Sequence, residues 1–95
     1  MIERYFKQRE GFVEQNVAGE TILVPLVDSV AQMNEVITLN EIGTFIYHLL
    51  VKTKSFSEIL SKILEEYDVS EKEAKNDLNN FLNIALEKKI IFERD

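Results

Sequence analysis

Side chains able to do chemistry are few and scattered in this chain. His48 is the only histidine, and there is no cysteine. An ordinary imidazole titrates near neutral pH and can serve as a general base. By helical spacing, however, His48 falls on the flank of an apolar stripe, with no nucleophile beside it in sequence. We read it as a solvated surface residue. Glu65, Glu66 and Asp68 are the densest acidic group, but calcium loops alternate their acidic positions around a turn glycine. No glycine follows Gly43, so these carboxylates read as a solvated helix end. Gly11, Gly19 and Gly43 are too far apart to form a phosphate-cradling loop. Without cysteine there is neither a thiolate nucleophile nor a thiolate metal ligand. The residues therefore predict a chain that is not an enzyme and needs no cofactor or metal.

Binding is the remaining class, and charge limits the partners. The 95 residues hold 17 acidic and 11 basic side chains, a net charge of −6. Such a balance repels phosphate backbones and disfavours nucleic acid. No segment approaches the roughly 18 apolar residues of a membrane span. The N-terminus, MIERYFKQRE, is too charged for a secretory signal. The expectation is a cytoplasmic protein with no membrane partner. Length predicts a single domain over 1–95, with 1–11 as an N-terminal arm, either loose or covering a sheet edge.

The stretch Val36 to Leu50, VITLNEIGTFIYHLL, organises the rest. Val36, Ile37, Thr38 and Leu39 suit a strand. Asn40 is a strong N-cap. Beyond it Ile42, Phe45, Ile46, Leu49 and Leu50 recur at helical spacing. Gly43 lies inside that helix, where glycine costs about 1 kcal/mol against alanine. Its presence predicts a close backbone approach, helix against sheet.

Upstream, Phe12–Val17 and Glu20–Leu26 read as a hairpin turned at Ala18-Gly19, where glycine supplies a positive φ. Pro25 has no N–H for a ladder, so the second strand ends there or lies at an edge. Val27 to Glu35 carries no firm pattern. Downstream, Ser55 with Glu58 and Ser70 with Glu73 fit capping boxes. They open helices over Ser55–Asp68 and Ser70 to about Lys88. Phe56, Ile59, Leu60, Ile63, Leu64 and Tyr67 form one stripe; Ala74, Leu78, Phe81, Leu82 and Ala85 form the other. Ile90, Ile91 and Phe92 close the chain as a short strand. The fold class is α+β, a three-stranded antiparallel sheet followed by three helices around one core. Leu39, Phe45, Leu49, Ile63, Leu78 and Phe81 are its predicted buried members. The last two helices, joined at Asp68-Val69-Ser70, look like a helix-turn-helix pair, giving a winged helix with its sheet placed first. That shape raises a DNA-binding regulator as the alternative. The third helix argues against it: Lys72, Lys75, Lys88 and Lys89 are balanced by Glu71, Glu73, Asp77 and Glu87, with no arginine.

These pieces in this order resemble the PqqD family, small proteins of pyrroloquinoline quinone biosynthesis and related peptide-modifying pathways. The resemblance rests on Pro25 ending the hairpin, Val36-Ile37-Thr38 leading into Leu39-Asn40, Gly43, and the aromatic region Phe45–Tyr47. It continues through Ser55, Glu58-Ile59, Leu64 and Tyr67, then Asp77, Phe81-Leu82 and Leu86. It covers roughly residues 12 to 92. Asn34 and Lys89 stand where the family often has glycine, and the link before Ser55 lacks its usual glycine. The resemblance implies a RiPP recognition element. Such a domain binds the leader segment of a ribosomally made precursor peptide and presents it to a modifying enzyme, often a radical S-adenosylmethionine protein.

Strand addition is a physical route to such binding: backbone hydrogen bonds give affinity and side-chain pockets give specificity. Val36–Thr38 contains no proline, so its N–H groups are available to a partner. The expected peptide site is therefore Glu35, Val36, Ile37 and Thr38 on the strand, facing Asp77, Phe81, Ile84 and Lys88 on the third helix. Ile84 is the apolar residue furthest off the core stripe, as a peptide groove requires.

Overall fold

The computed structural model describes residues 3–26 and 36–94. Its elements are β1 (Tyr5–Gln8), β2 (Phe12–Val17), β3 (Glu20–Pro25), β4 (Ile37–Leu39), α1 (Glu41–Leu49), β5 (Lys54–Ser55), α2 (Phe56–Glu66), α3 (Glu71–Glu87) and β6 (Ile91–Arg94). Two small antiparallel sheets and three helices share one hydrophobic core, an α+β arrangement.

The first sheet has the order β2-β3-β4. Ala18 and Gly19 both take positive φ, 52° and 83°, as a tight two-residue hairpin turn demands. Val17 faces Glu20 and Phe12 faces Pro25 across that hairpin. On the other side of β3, Thr21 pairs with Leu39 and Leu23 with Ile37. Pro25 ends its strand, which is nevertheless the central one. This is tolerated because, among the described residues, β4 pairs no further than Leu23, and no ladder bond there is asked of the proline.

Glycine-free caps start each helix. Asn40 Oδ1 accepts from the Gly43 N–H at 2.9 Å. Ser55 Oγ accepts from the Glu58 N–H while the Glu58 carboxylate accepts from the Ser55 N–H, a complete capping box. Ser70 Oγ accepts from the Glu73 N–H, the cap without its reciprocal half. The bonds to Ser55 hold the Glu58 carboxyl below its usual range.

The second sheet, β5-β1-β6, corrects the reading of the N-terminus. Residues 5–8 are not a loose arm but the central strand of that sheet. Phe6 is fully buried and Gln8 pairs with Ile91. Sequence pattern missed this because Tyr5–Gln8 offers one apolar pair among charges, too short for a period. Lys54–Ser55, expected as link and cap, pairs with Phe6 and Tyr5 before α2 begins.

The core is built from Phe6, Leu23, Ile46, Leu50, Ile59, Ile63, Leu78, Leu82, Ile90 and Ile91, all at most 1% exposed. Leu39, Ile63 and Leu78 are buried as expected. Phe45, Leu49 and Phe81 are half-buried against the core rather than inside it. On α1 the buried face is rotated toward Tyr47, whose burial and proximity to Glu14 push its pKa up to about 12. Phe45 instead stacks edge-on against Tyr67, with ring centroids 5.4 Å apart.

Candidate functional site

The β4 strand is an edge. One side pairs with β3, and among the described residues no strand pairs with the other. An edge strand presents unpaired N–H and C=O groups, a template for a further strand. Ile37 and Leu39 turn inward and are buried, while Val36 and Thr38 are exposed. That alternation leaves the strand half-sunk in the surface.

Beside this edge runs a groove of about 550 Å³. Its walls are β4 and α3, and α1 closes one end through Ile42 and Gly43. Val36, Ile37, Thr38, Asp77, Phe81, Ile84 and Lys88 all line it. The structure thus brings seven of the eight sequence-predicted site residues together. Glu35 lies outside the described residues.

The helix presents two stripes. Ala74, Leu78, Leu82 and Ala85 point into the core. Asp77, Phe81, Ile84 and Lys88 run alongside at spacings of four, three and four, the helical repeat of a second face. Phe81 sits where the stripes meet, which explains its half burial. Ile84 is 56% exposed although it lines the groove. From Asp77 to Lys88 the helix rises roughly 16 Å, at about 1.5 Å per residue. An extended peptide covers that in about five residues. The two ends differ in charge, carboxylate at one and ammonium at the other.

The groove also has lining residues that the sequence did not mark as site residues, among them Ile42, Gly43, Asn80 and Ile90. A side chain at Gly43 would place its Cβ 3.4 Å from Phe81 Cδ1 and 3.1 Å from Asn40 Oδ1. The expected close approach at Gly43 is therefore to the cap and to α3, with Leu39 Cβ at 3.5 Å marking the strand. Ile90 arrives through the end of α3. The Ile90 N–H donates to Ala85 O at 3.0 Å and the Lys89 N–H to Leu86 O at 3.2 Å. This is the double bond pattern of a helix stop that needs a left-handed residue, and Lys89 supplies it with φ 61°. No glycine signals that turn in the sequence.

His48 is not in the groove. Its Nε2 contacts Glu14 Oε2, an exposed pair joining α1 to β2. Among the described residues no group of three or more His, Asp or Glu side chains is placed to hold a metal ion. No helix there is long and apolar enough to cross a membrane. On α3, Lys75 faces Glu71 at 3.4 Å, and the helix has no arginine to offer a DNA base edge.

A free strand edge facing a helix-walled groove, on a winged-helix scaffold, has the geometry of a peptide-binding module. The chain belongs to the PqqD family: the family model described as Coenzyme PQQ synthesis protein D matches residues 17–91. The fold is similar to that of "TbiB1 in Complex with the TbiA(beta) Leader Peptide", at 27% identity and a TM-score of 0.73. That match covers 90% of this chain and 93% of the other. It is also similar to "Lasso peptide synthetase B1 complexed with the leader peptide", at 17% identity and a TM-score of 0.72, covering 92% and 96%. No curated protein sequence matches the chain. These likenesses do not favour the DNA-binding alternative.

Proposed function

We propose that the chain is a non-catalytic adaptor that binds the leader segment of a ribosomally synthesised precursor peptide and presents it to a modifying enzyme. The observation that carries this reading is the free β4 edge lying beside an apolar groove walled by α3. The leader adds to β4 as a fourth strand of the β2-β3-β4 sheet. Its backbone pairs with the β4 edge, and alternate side chains drop onto Phe81, Ile84 and Ile90. Family membership and the two leader-bound relatives support the same partner. For the enzyme we propose a radical S-adenosylmethionine protein, the partner that PqqD membership suggests, in the cytoplasm and without nucleic acid.

The contact is small, so the expected affinity is micromolar in scale, on the order of −8 kcal/mol. Calorimetric titration with a candidate precursor leader from the neighbouring reading frames tests the reading. Ile84→Glu puts a charge into the groove from an exposed position, so the fold survives while binding weakens by at least roughly 1 kcal/mol. Wild-type and variant proteins with equal leader affinity would remove the groove from the account.

A further inference from the structure

The sheet β5-β1-β6 has an outward face that the leader site does not use. Side chains alternate along its strands. Phe6 and Ile91 point into the core and are buried. The opposite face carries the cross-strand pairs Tyr5 with Arg94 and Lys7 with Phe92. Arg9 extends this face, its guanidinium 5.6 Å from the centre of the Phe92 ring. The five residues form a strip of two aromatics and three cations, and none of the paired positions on that face carries a carboxylate.

The strip stands out against the rest of the molecule, whose net charge is −6. All three arginines, Arg4, Arg9 and Arg94, belong to this sheet or its margin. Arg4 is committed elsewhere: it forms a two-point ion pair with Glu93 and lies over the Phe6 ring. Arg9, by contrast, lies over the Phe92 ring and remains exposed. Arg94 gives one N–H to Thr53 Oγ1 at 3.3 Å, which orients it without neutralising it. Lys7 has no carboxylate partner among the described residues. An arginine set over an aromatic ring, as Arg9 is, suits recognition of a carboxylate, since less side-chain freedom is lost on binding. The strip is also mechanically joined to the leader groove. Ile90 lines the groove, and the next residue, Ile91, begins β6.

We propose that this face is the docking surface for the modifying enzyme and engages an acidic, partly apolar patch on it. The inference rests on the adaptor reading and adds the second interface that an adaptor requires. Three cations on a small strip suit a few carboxylates. They are too few to hold a nucleic acid backbone against the repulsion of the remaining acidic surface.

The test uses the full chain, a candidate precursor leader and a candidate radical S-adenosylmethionine enzyme, each taken from the neighbouring reading frames and purified. Both affinities are measured for wild type, for Lys7→Glu/Arg94→Glu, and for Lys62→Glu/Lys75→Glu. The last is a control of equal charge change, placed on α2 and α3. The face variant should bind the enzyme at least tenfold more weakly while keeping its leader affinity, and the control should stay within twofold of wild type. Raising the salt concentration should weaken the wild-type enzyme complex and leave the face variant little changed. Lys7→Gln/Arg94→Gln replaces the reversal if the double glutamate does not fold. Enzyme affinity unchanged in the face variant, or lowered equally in the control, overturns the proposal. So does wild-type binding to a duplex oligonucleotide, measured alongside, that the face variant loses while its enzyme binding stays intact. Failure of wild type to bind the leader would instead defeat the adaptor reading, so the two are separable.

Discussion

At the residue scale, Lys89 and Ile84 carry the sharpest expectations. Lys89 closes α3 in the left-handed region, where a side chain costs about 1–2 kcal/mol. Lys89→Gly removes that cost and adds freedom to the unfolded chain, about 0.4–1 kcal/mol in opposition. We expect a net gain of about 0.5–1 kcal/mol, read as a higher urea midpoint with an unchanged slope. Ile84 was legible in the sequence because it is apolar and off the core stripe. Ile90 was not, because its place depends on a turn that a lysine makes in glycine's stead. His48 illustrates a different limit. Its flank position was readable, but its contact with Glu14 links residues 34 positions apart and no local pattern encodes that. His48→Gln should leave leader binding and precursor maturation near wild type, since neither His48 nor Glu14 lines the groove. Collapse of maturation in a folded His48→Gln protein would point to chemistry at that pair.

At the element scale, the helices and the β2-β3-β4 sheet were readable because caps, a turn dipeptide and apolar periods all agreed. Strand β1 was not, because its identity comes from distant partners, β5 and β6. Its weight in the fold is large. Phe6→Ala should cost about 3–5 kcal/mol, as for other fully buried phenylalanines. A dispensable arm would lose almost nothing. Leu78→Ala should cost about 2–5 kcal/mol. Phe81→Ala should cost less than Phe6→Ala, because Phe81 is half-buried, yet should weaken the leader more than Leu78→Ala does. Chemical denaturation and leader titration on the same three variants check that ordering. The pair Arg4–Glu93 ties β1 to β6, and Arg4 holds the Glu93 carboxyl below its usual range. A lowered folded-state value means the contribution is present above the ordinary carboxylate range and is lost as pH falls through the folded value. Glu93→Gln should therefore flatten part of the acid limb of the stability curve, by up to about 1 kcal/mol for so exposed a pair.

At the scale of the whole molecule, one core holds two sheets whose outer surfaces differ in kind. One offers a strand edge beside an apolar groove; the other offers three cations among two aromatic side chains, with Arg9 over the Phe92 ring. On the proposed reading the domain links two partners in this way, holding a peptide by its backbone and an enzyme by its charge. The central claim is that the leader pairs with β4. The most direct measurement follows the backbone amide resonances as the precursor leader is titrated into the isotope-labelled protein. The account predicts that amides from Val36 to Leu39 move and gain protection from solvent exchange, together with those of Asp77, Phe81, Ile84 and Lys88. Stationary β4 amides, with the change confined to the opposite edge at Phe12–Val17, would contradict it.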